Sequence, residues 1–260
     1  MQFNFSKTSL IWFTLKRKDI KEQPLCVFGG EDISFTRKPV VDLGISFCYN
    51  LSWTEHIKSK VCKAHGRFIS IKRNLPNNLS TSQKASVYVL YIRPLILYGT
   101  TVWFANRTNL EKLESFQSRV TRWISSYDTY KERLIQSNIL PLSFLFQLED
   151  LLTFNKVLNG MLGPEVRSLI EPSKTPRQNL RETSFPPFKL QKTKLKLTDS
   201  NFIHRATRLA NFVSMKHNIN FYDSCEKVKP LLKSLFWNYF LNSYERKSCA
   251  SFIQCYCCHL

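Results

Sequence analysis

The sequence predicts an α+β fold that is mostly α-helical, and three observations lead to this class. Residues 1–48 contain short apolar runs separated by turn chemistry, as β-strands and hairpins do. After Trp53 the apolar residues recur every three or four positions, which is typical of amphipathic helices. Gly is scarce, at 7 of 260 residues. This scarcity disfavours glycine-punctuated all-β folds and loops that cradle phosphate.

The β-rich part predicts a hairpin followed by a longer strand. Residues 25–35 indicate the hairpin, because two apolar runs flank the turn sequence Gly-Gly-Glu-Asp. Val40–Phe47 then predicts one further strand with Gly44 inside it. A glycine within a strand often marks a β-bulge, or a place where a ligand or another backbone comes close.

The helical part begins with a long basic helix that Thr54 would cap, since apolar residues recur at helical spacing from Ile57 to Leu75. Ser80–Gln83 and Thr108–Glu111 both have the form of a capping box. The first would open a helix towards Pro94, and the second a helix with an apolar stripe ending near Ile124. Further helical patterns occur at 141–158, 201–214 and 225–244.

Four parts follow from these patterns. Residues 1–53 are expected to be β-rich and 54–162 to be helical. Residues 163–200 carry many Lys, Arg and Pro without a lasting period, which predicts an extended linker. Residues 201–260 are expected to form a C-terminal helical region that ends in a Cys-rich tail.

The charge of the chain points to a polyanionic partner. There are 38 Lys and Arg against 19 Asp and Glu, a formal net charge of +19, and the basic residues are spread over the whole chain. Such a surplus is most often matched to RNA, DNA or an RNA–DNA duplex, although a merely basic surface is the simpler alternative. The candidate phosphate contacts on the predicted helices are Lys58, Lys63, Arg67, Lys72, Arg73, Arg119 and Arg122.

Cofactors and membranes are not expected. The eight Cys do not suggest a disulfide framework, and no secretory signal is evident, so an intracellular setting is predicted, either nuclear or cytoplasmic. The apolar stretch 87–104 contains Arg93 and Pro94 near its middle, which favours a buried, Pro-kinked helix over a membrane span. The tail CASFIQCYCCHL is too compact for a regular zinc site, so no metal is predicted.

Five strings of the sequence, taken in order, carry a resemblance. They are FNFSKTSLIWF (3–13), VVDLGISFCYNLSWTEHI (40–57), VLYIRPLILYGTTVWF (89–104), LEKLESFQSRVTRWI (110–124) and SNFIHRATRLANFV (200–213). Together they resemble the distal part of the reverse transcriptase of a LINE-type (non-LTR), jockey-like retrotransposon. That part comprises the end of the palm, the thumb and the C-terminal region, and the resemblance covers most of residues 3–245.

The resemblance implies a small antiparallel β remnant of a polymerase palm, followed by a helical thumb and C-terminal helices. By this analogy Leu43 and Gly44 match the primer grip, which holds the 3′ end of the growing strand. Lys7 matches the lysine that protonates or stabilises the leaving pyrophosphate. The plainer alternatives stay open, namely that Gly44 is only a β-bulge and Lys7 only a solvated residue.

One departure from the family bears on activity. Its phosphoryl transfer needs two metal ions held by carboxylates, in a motif of an aromatic residue, any residue and Asp-Asp. No Asp-Asp occurs in this chain, and the sequence begins just after the point where the motif would stand. We therefore expect a truncated reverse transcriptase without catalytic residues or polymerase activity of its own, and with residual nucleic-acid binding. The alternatives are a helical protein–protein interaction fragment and a decayed, non-functional open reading frame.

Overall fold

A computed structural model confirms the predicted class, since the chain is mostly helical with a few two-stranded pairings. The structure describes residues 8–14, 26–28, 30–33, 35–103, 107–173, 187–190 and 201–243. The chain divides into two compact units, Met1–Lys63 and Ala64–Leu260. The boundary falls inside the first helix, and the two units are described separately below.

The described strands of the first unit form three separate pairs. They are β1 (Leu10–Ile11), β2 (Cys26–Phe28), β3 (Glu31–Ile33), β4 (Phe35–Thr36), β5 (Val40–Asp42) and β6 (Ile45–Phe47). The predicted hairpin over 25–35 is confirmed, because β2 and β3 pair antiparallel. Strands β5 and β6 also pair antiparallel. The expectation of purely antiparallel pairing is wrong, since β1 and β4 run parallel.

The single strand predicted over Val40–Phe47 is a hairpin. Asp42 pairs with Ile45, so Leu43 and Gly44 form a two-residue turn between β5 and β6. Both turn residues have positive φ, 45° and 78°, as a type I′ turn requires. Gly44 therefore lies in a turn and not within a strand, which also removes the β-bulge alternative. The alternation of apolar residues correctly indicates strand structure on both sides, but it does not reveal the turn at Leu43–Gly44.

Aromatic edge contacts hold the small first unit together. Trp12 meets Phe35 with ring centroids 5.4 Å apart, and Phe13 meets Phe47 at 6.4 Å. Phe47 in turn meets Trp53 at 5.7 Å, just before the first helix begins. Edge-to-face pairs of this kind add about 0.5–1.5 kcal/mol each beyond their burial. They compensate in part for strands that are only two or three residues long.

His56 is a buried polar group in this unit. The Ser46 amide donates a hydrogen bond of 3.1 Å to His56 Nδ1, which fixes the neutral ring with its proton on Nε2. Burial, with smaller contributions from the charges of Lys60 and Lys63, lowers the pKa of His56 to about 4. The ring is therefore uncharged in the folded chain at neutral pH.

We expect the first unit to lose stability in acid because of His56. Its folded pKa of about 4 lies below the ordinary value of 6.5. The neutral ring therefore contributes fully above pH 6.5, and that contribution is lost as the pH falls towards 4. Nuclear magnetic resonance of the ring protons would give the pKa, and hydrogen exchange of the Ser46 amide would report the loss. His56→Phe should flatten the pH dependence; an unchanged profile would contradict the assignment.

The remaining elements are helical. They are α1 (Thr54–Asn74), α2 (Thr81–Val87), a π-helical turn (Tyr88–Ile92), α3 (Arg93–Leu97), α4 (Arg107–Ile124), α5 (Tyr130–Gln136), α6 (Leu142–Leu158), α7 (Pro164–Ser168), α8 (Phe202–His217) and α9 (Cys225–Ser243). The core of the second unit is built around α6, whose residues are buried on nearly every side. Both α8 and α9 pack against it.

The capping signals had mixed outcomes. Ser80 forms the predicted capping box with Gln83, with both reciprocal hydrogen bonds present. Thr108 does not cap α4, because that helix already begins at Arg107. Helix α5 was not predicted, although Thr129 and Glu132 form a complete capping box at its start. The Thr-x-x-Glu signal was present in the sequence and had been overlooked.

Pro94 is accommodated without breaking the helical path from Thr81 to Leu97. The π-helical turn precedes it, and the Arg93 amide donates to the Tyr88 carbonyl five residues back. A proline has no N–H to donate, so a wider turn at this point avoids its clash with the preceding carbonyl. Within the described ranges, the structure contains no helix with the length and apolar character needed to cross a bilayer.

The structure differs from the expected extended linker over two stretches of 163–200. Pro164–Ser168 is a short helix, and Phe188 is fully buried in the second unit. The Ser173 amide donates to the Pro187 carbonyl, and the Lys189 amide to the Glu171 carbonyl, both at 2.9 Å. These bonds join the two described flanks in a short antiparallel contact. The many Pro and Lys residues of this segment predict a linker, but Phe188 attaches it to the core.

Candidate nucleic-acid interface

All seven basic residues predicted to contact phosphate are exposed. Lys58 and Lys63 belong to the first unit, and the others to the second. Those on α1 do not form a single line, because successive residues of a helix are rotated by about 100°. Lys72 and Arg73, for example, are exposed in different directions in its last turn. The five predicted phosphate contacts on α1 are therefore not aligned along one side of the helix.

Within the second unit, the C-terminal half of α1 lies beside α4. His65 meets Phe116 with ring centroids 6.5 Å apart, and Phe68 meets Trp123 at 5.6 Å. The residue numbers rise on both helices from the first contact to the second, so α1 and α4 run in the same direction here. The last turn of α4 therefore lies beside α1 at Phe68, between one and two turns before α1 ends. Arg122 lies in that last turn of α4, and Lys72 and Arg73 lie in the last turn of α1.

A further cation joins this group. Lys84 Nζ of α2 lies 5.8 Å from the centre of the Trp123 ring, a cation–π distance. Lys84 was not predicted as a site residue, because only the folded chain brings α2 against the end of α4. We call the resulting set the α1–α4 basic surface; its members are Arg67, Lys72, Arg73, Lys84, Arg119 and Arg122.

The α1–α4 basic surface has a structural explanation as well as a functional one. The C-terminal end of a helix carries partial negative charge, so Lys72, Arg73 and Arg122 stabilise their own helices. That effect amounts to about 0.3–1 kcal/mol per cation at an exposed site. Arg67 and Arg119 lie before the last turns and are not explained by it. Exposed cations in this arrangement can contact phosphate groups, which position a strand without reading its bases.

The two sites implied by the resemblance stand differently. Lys7 lies outside the described residues. Leu43 and Gly44 are placed at the tip of the β5–β6 hairpin, where the Leu43 side chain is 82% exposed. A leucine with φ of 45° is strained, and strained exposed positions are candidates for functional contact. The grip role of this turn stays a prediction.

A buried ion pair in the second unit had not been predicted. Arg205 of α8 donates from Nε to Asp150 Oδ2 of α6 at 2.6 Å, and from one terminal nitrogen to Oδ1 at 2.9 Å. The same nitrogen donates to the carbonyls of Thr100 and Thr101, both at 2.9 Å. Burial raises the pKa of Asp150, and Arg205 opposes this rise. The pair fixes the turn after α3 against two core helices.

Buried polar groups on α4 are also committed to structure. Glu114 accepts hydrogen bonds from the Tyr130 hydroxyl at 2.6 Å and from the Ser143 amide at 2.9 Å. The carboxylate thereby caps the start of α6, whose N-cap Pro141 offers no side-chain hydrogen bond. Gln117 accepts from the Tyr88 hydroxyl and donates to the Leu140 carbonyl. These groups position α4, α5 and α6.

Metal binding is not indicated by the described residues, which contain no group of three or more His, Cys, Asp or Glu able to hold an ion. The Cys-rich tail lies outside them. Comparisons with models of protein families, with curated proteins and with solved structures found no match.

Proposed function

We propose that this chain binds nucleic acid through its phosphates, with little preference for sequence. The observation that carries this proposal is the α1–α4 basic surface, six exposed or half-exposed cations on three neighbouring helices of one unit. A formal net charge of +19 adds a long-range attraction to any polyanion. Cations presented on helices contact the backbone and carry no base-specific information.

The proposed origin of the chain rests on its resemblance to the distal part of a LINE-type reverse transcriptase. In the fold, two of the resembling strings meet: Arg205, in the string at 200–213, donates to the carbonyls of Thr100 and Thr101, in the string at 89–104. Without the paired aspartates, the proposal includes no nucleotidyl transfer by this chain. Primer extension with magnesium or manganese should give no product.

The binding proposal is tested by salt dependence. Each phosphate contact releases counterions, so the logarithm of the affinity should fall linearly with the logarithm of salt concentration. Arg122→Glu should weaken binding to a short duplex about tenfold and make that slope shallower by about one. Lys227→Glu, which makes the same charge change at an exposed position of α9, is the matched control and should change little. Fluorescence anisotropy on a labelled duplex measures both.

Two outcomes would contradict the binding proposal. One is an affinity that barely changes between low and physiological salt. The other is an equal loss for Arg122→Glu and Lys227→Glu, which would mean that the net charge acts without a defined surface.

A protein–protein interaction is the second candidate, because the chain exposes apolar side chains around α3. Leu90, Tyr91, Tyr98 and Val102 are each more than half exposed, and they fall within thirteen residues. Clustered exposed apolar groups indicate either partner binding or aggregation. Retention of protein partners at high salt, with no RNA or DNA retained, would favour this candidate over the first.

A further inference from the structure

The second unit contains a cavity of about 640 Å³ between α3, α6 and α9. Its size falls within the range of about 300–1,000 Å³ that is usual for sites of small organic ligands. Leu145, Leu148 and Leu152 of α6 contribute an apolar floor, and all three are buried. The walls of the cavity are polar, in contrast to the floor, and most of their polar side chains are cationic.

Four cations line the cavity: Arg93 of α3, Lys156 of α6, and Lys229 and Lys233 of α9. Among the described lining residues, Glu149 is the single acidic one. Burial lowers the pKa of Arg93, while Tyr88 and Glu149 oppose this effect. The three lysines are exposed at the rim, so they can meet an incoming anion without first being desolvated. The charge balance of the lining favours an anionic ligand.

Helix α9 presents two lysines and a tryptophan to the cavity along one side. Cys225, Lys229, Lys233 and Trp237 follow one another at intervals of four residues, so they lie along one side of the helix. Successive members are separated by about 6 Å along the axis. The Trp237 ring is held by buried Phe240, with ring centroids 5.4 Å apart. The Trp237 ring therefore lies about one helical turn after Lys233 and two turns after Lys229.

We propose that this cavity accepts one unpaired nucleotide of a single strand, with its base against Trp237 and the leucine floor and its phosphates at Lys229 and Lys233. The inference rests on the proposed nucleic-acid binding and adds a preference for single strands. Bases stack on aromatic side chains whatever their identity, whereas bases inside a duplex stay stacked on each other. A cavity that encloses the base therefore discriminates by strandedness, which exposed cations alone do not.

The test compares a labelled twelve-nucleotide pyrimidine strand with a duplex of the same length by fluorescence anisotropy. Lys233→Glu and Trp237→Leu should each weaken binding of the single strand about tenfold. Duplex binding should change less than about twofold, because the duplex contacts phosphates only. Lys227→Glu lies on the same helix outside the cavity lining and should leave the preference intact. Thermal melting checks that the variants fold, and exposed Lys233 is the safer substitution if Trp237→Leu melts early.

The outcomes separate the two proposals. If the wild-type chain binds the duplex with steep salt dependence, but Lys233→Glu affects both probes equally, the cavity inference fails and the binding proposal stands. If the wild-type chain retains neither probe, both fail. A loss confined to the single strand, and absent from Lys227→Glu, supports the cavity as the site.

Discussion

Replacing Arg205 with methionine should lower the free energy of unfolding of the second unit by roughly 3–5 kcal/mol. The substitution removes one partner of a buried ion pair while leaving Asp150 in place, with a side chain only 8% exposed. Two bonds to Asp150 and two to the Thr100 and Thr101 carbonyls would be lost together. A buried carboxylate without its cation is among the most costly single defects a core can carry.

The size of this effect should depend on pH. Burial already raises the pKa of Asp150, and removing Arg205 would raise it further, because the opposing cation is gone. In the variant, the folded chain therefore holds a proton on Asp150 up to a higher pH than the wild-type chain does. Its stability should therefore fall as the pH rises, and the loss relative to wild type should be larger at pH 7 than near pH 4.

Urea denaturation followed by circular dichroism measures the loss. Lys189→Ala is the control, because it breaks the exposed ion pair with Glu171 and should cost at most about 1 kcal/mol. The double variant Asp150→Leu with Arg205→Met should regain much of the stability, since it leaves no buried charge. Recovery would be incomplete because the Thr100 and Thr101 carbonyls still lose a donor. A loss under 1 kcal/mol for Arg205→Met, or a transition without cooperativity, would favour the decayed reading frame.

Local signals in the sequence predicted most of the second unit. The spacing of apolar residues placed α1, α6, α8 and α9 to within a few residues, because each presents a periodic face to the core. Capping chemistry placed the start of α2 for a similar reason. The failures were helix α5, the start of α4 and one turn in the first unit. The Leu43–Gly44 turn was taken for strand interior, since a two-residue turn interrupts the alternation of apolar residues only briefly.

The candidate sites depended on contacts that no local pattern contains. Exposure of the basic residues on α1 and α4 followed from helical periodicity, but the approach of Lys84 to Trp123 required the tertiary fold. The same holds for the cavity, whose cations come from positions 93, 156, 229 and 233 on three helices. The ion pair of Arg205 with Asp150 could not be predicted for another reason. A single arginine on a basic helix has the same local sequence whether it faces solvent or a carboxylate.

Phe188→Ala should destabilise the second unit by about 3–5 kcal/mol, although it lies in the segment whose composition predicted a linker. The ring is 1% exposed and meets Phe154 edge-on with centroids 5.0 Å apart. It also lies 5.9 Å from Tyr222. Truncation to alanine would leave a cavity beside α6 that the surrounding helices can fill only in part, and the cost rises with the volume that stays empty.

The backbone of Phe188 is held as firmly as its ring. Asn211 of α8 accepts from the Phe188 amide at 2.9 Å and donates to its carbonyl at 2.8 Å, so one side-chain amide satisfies both backbone groups. Asn211→Asp keeps the acceptor and loses the donor. It also adds a buried charge, so it should destabilise the unit too, even though Phe188 is unchanged.

Urea denaturation distinguishes this anchor from its surroundings. Leu190→Ala, two residues further along, removes a side chain that is 40% exposed and should cost much less than Phe188→Ala. If the two variants lose equal stability, the segment is held by its general apolar character and not by the Phe188 ring. If Phe188→Ala and Asn211→Asp both lose several kcal/mol while Leu190→Ala does not, a single residue with its backbone clamp attaches this segment to the helical core.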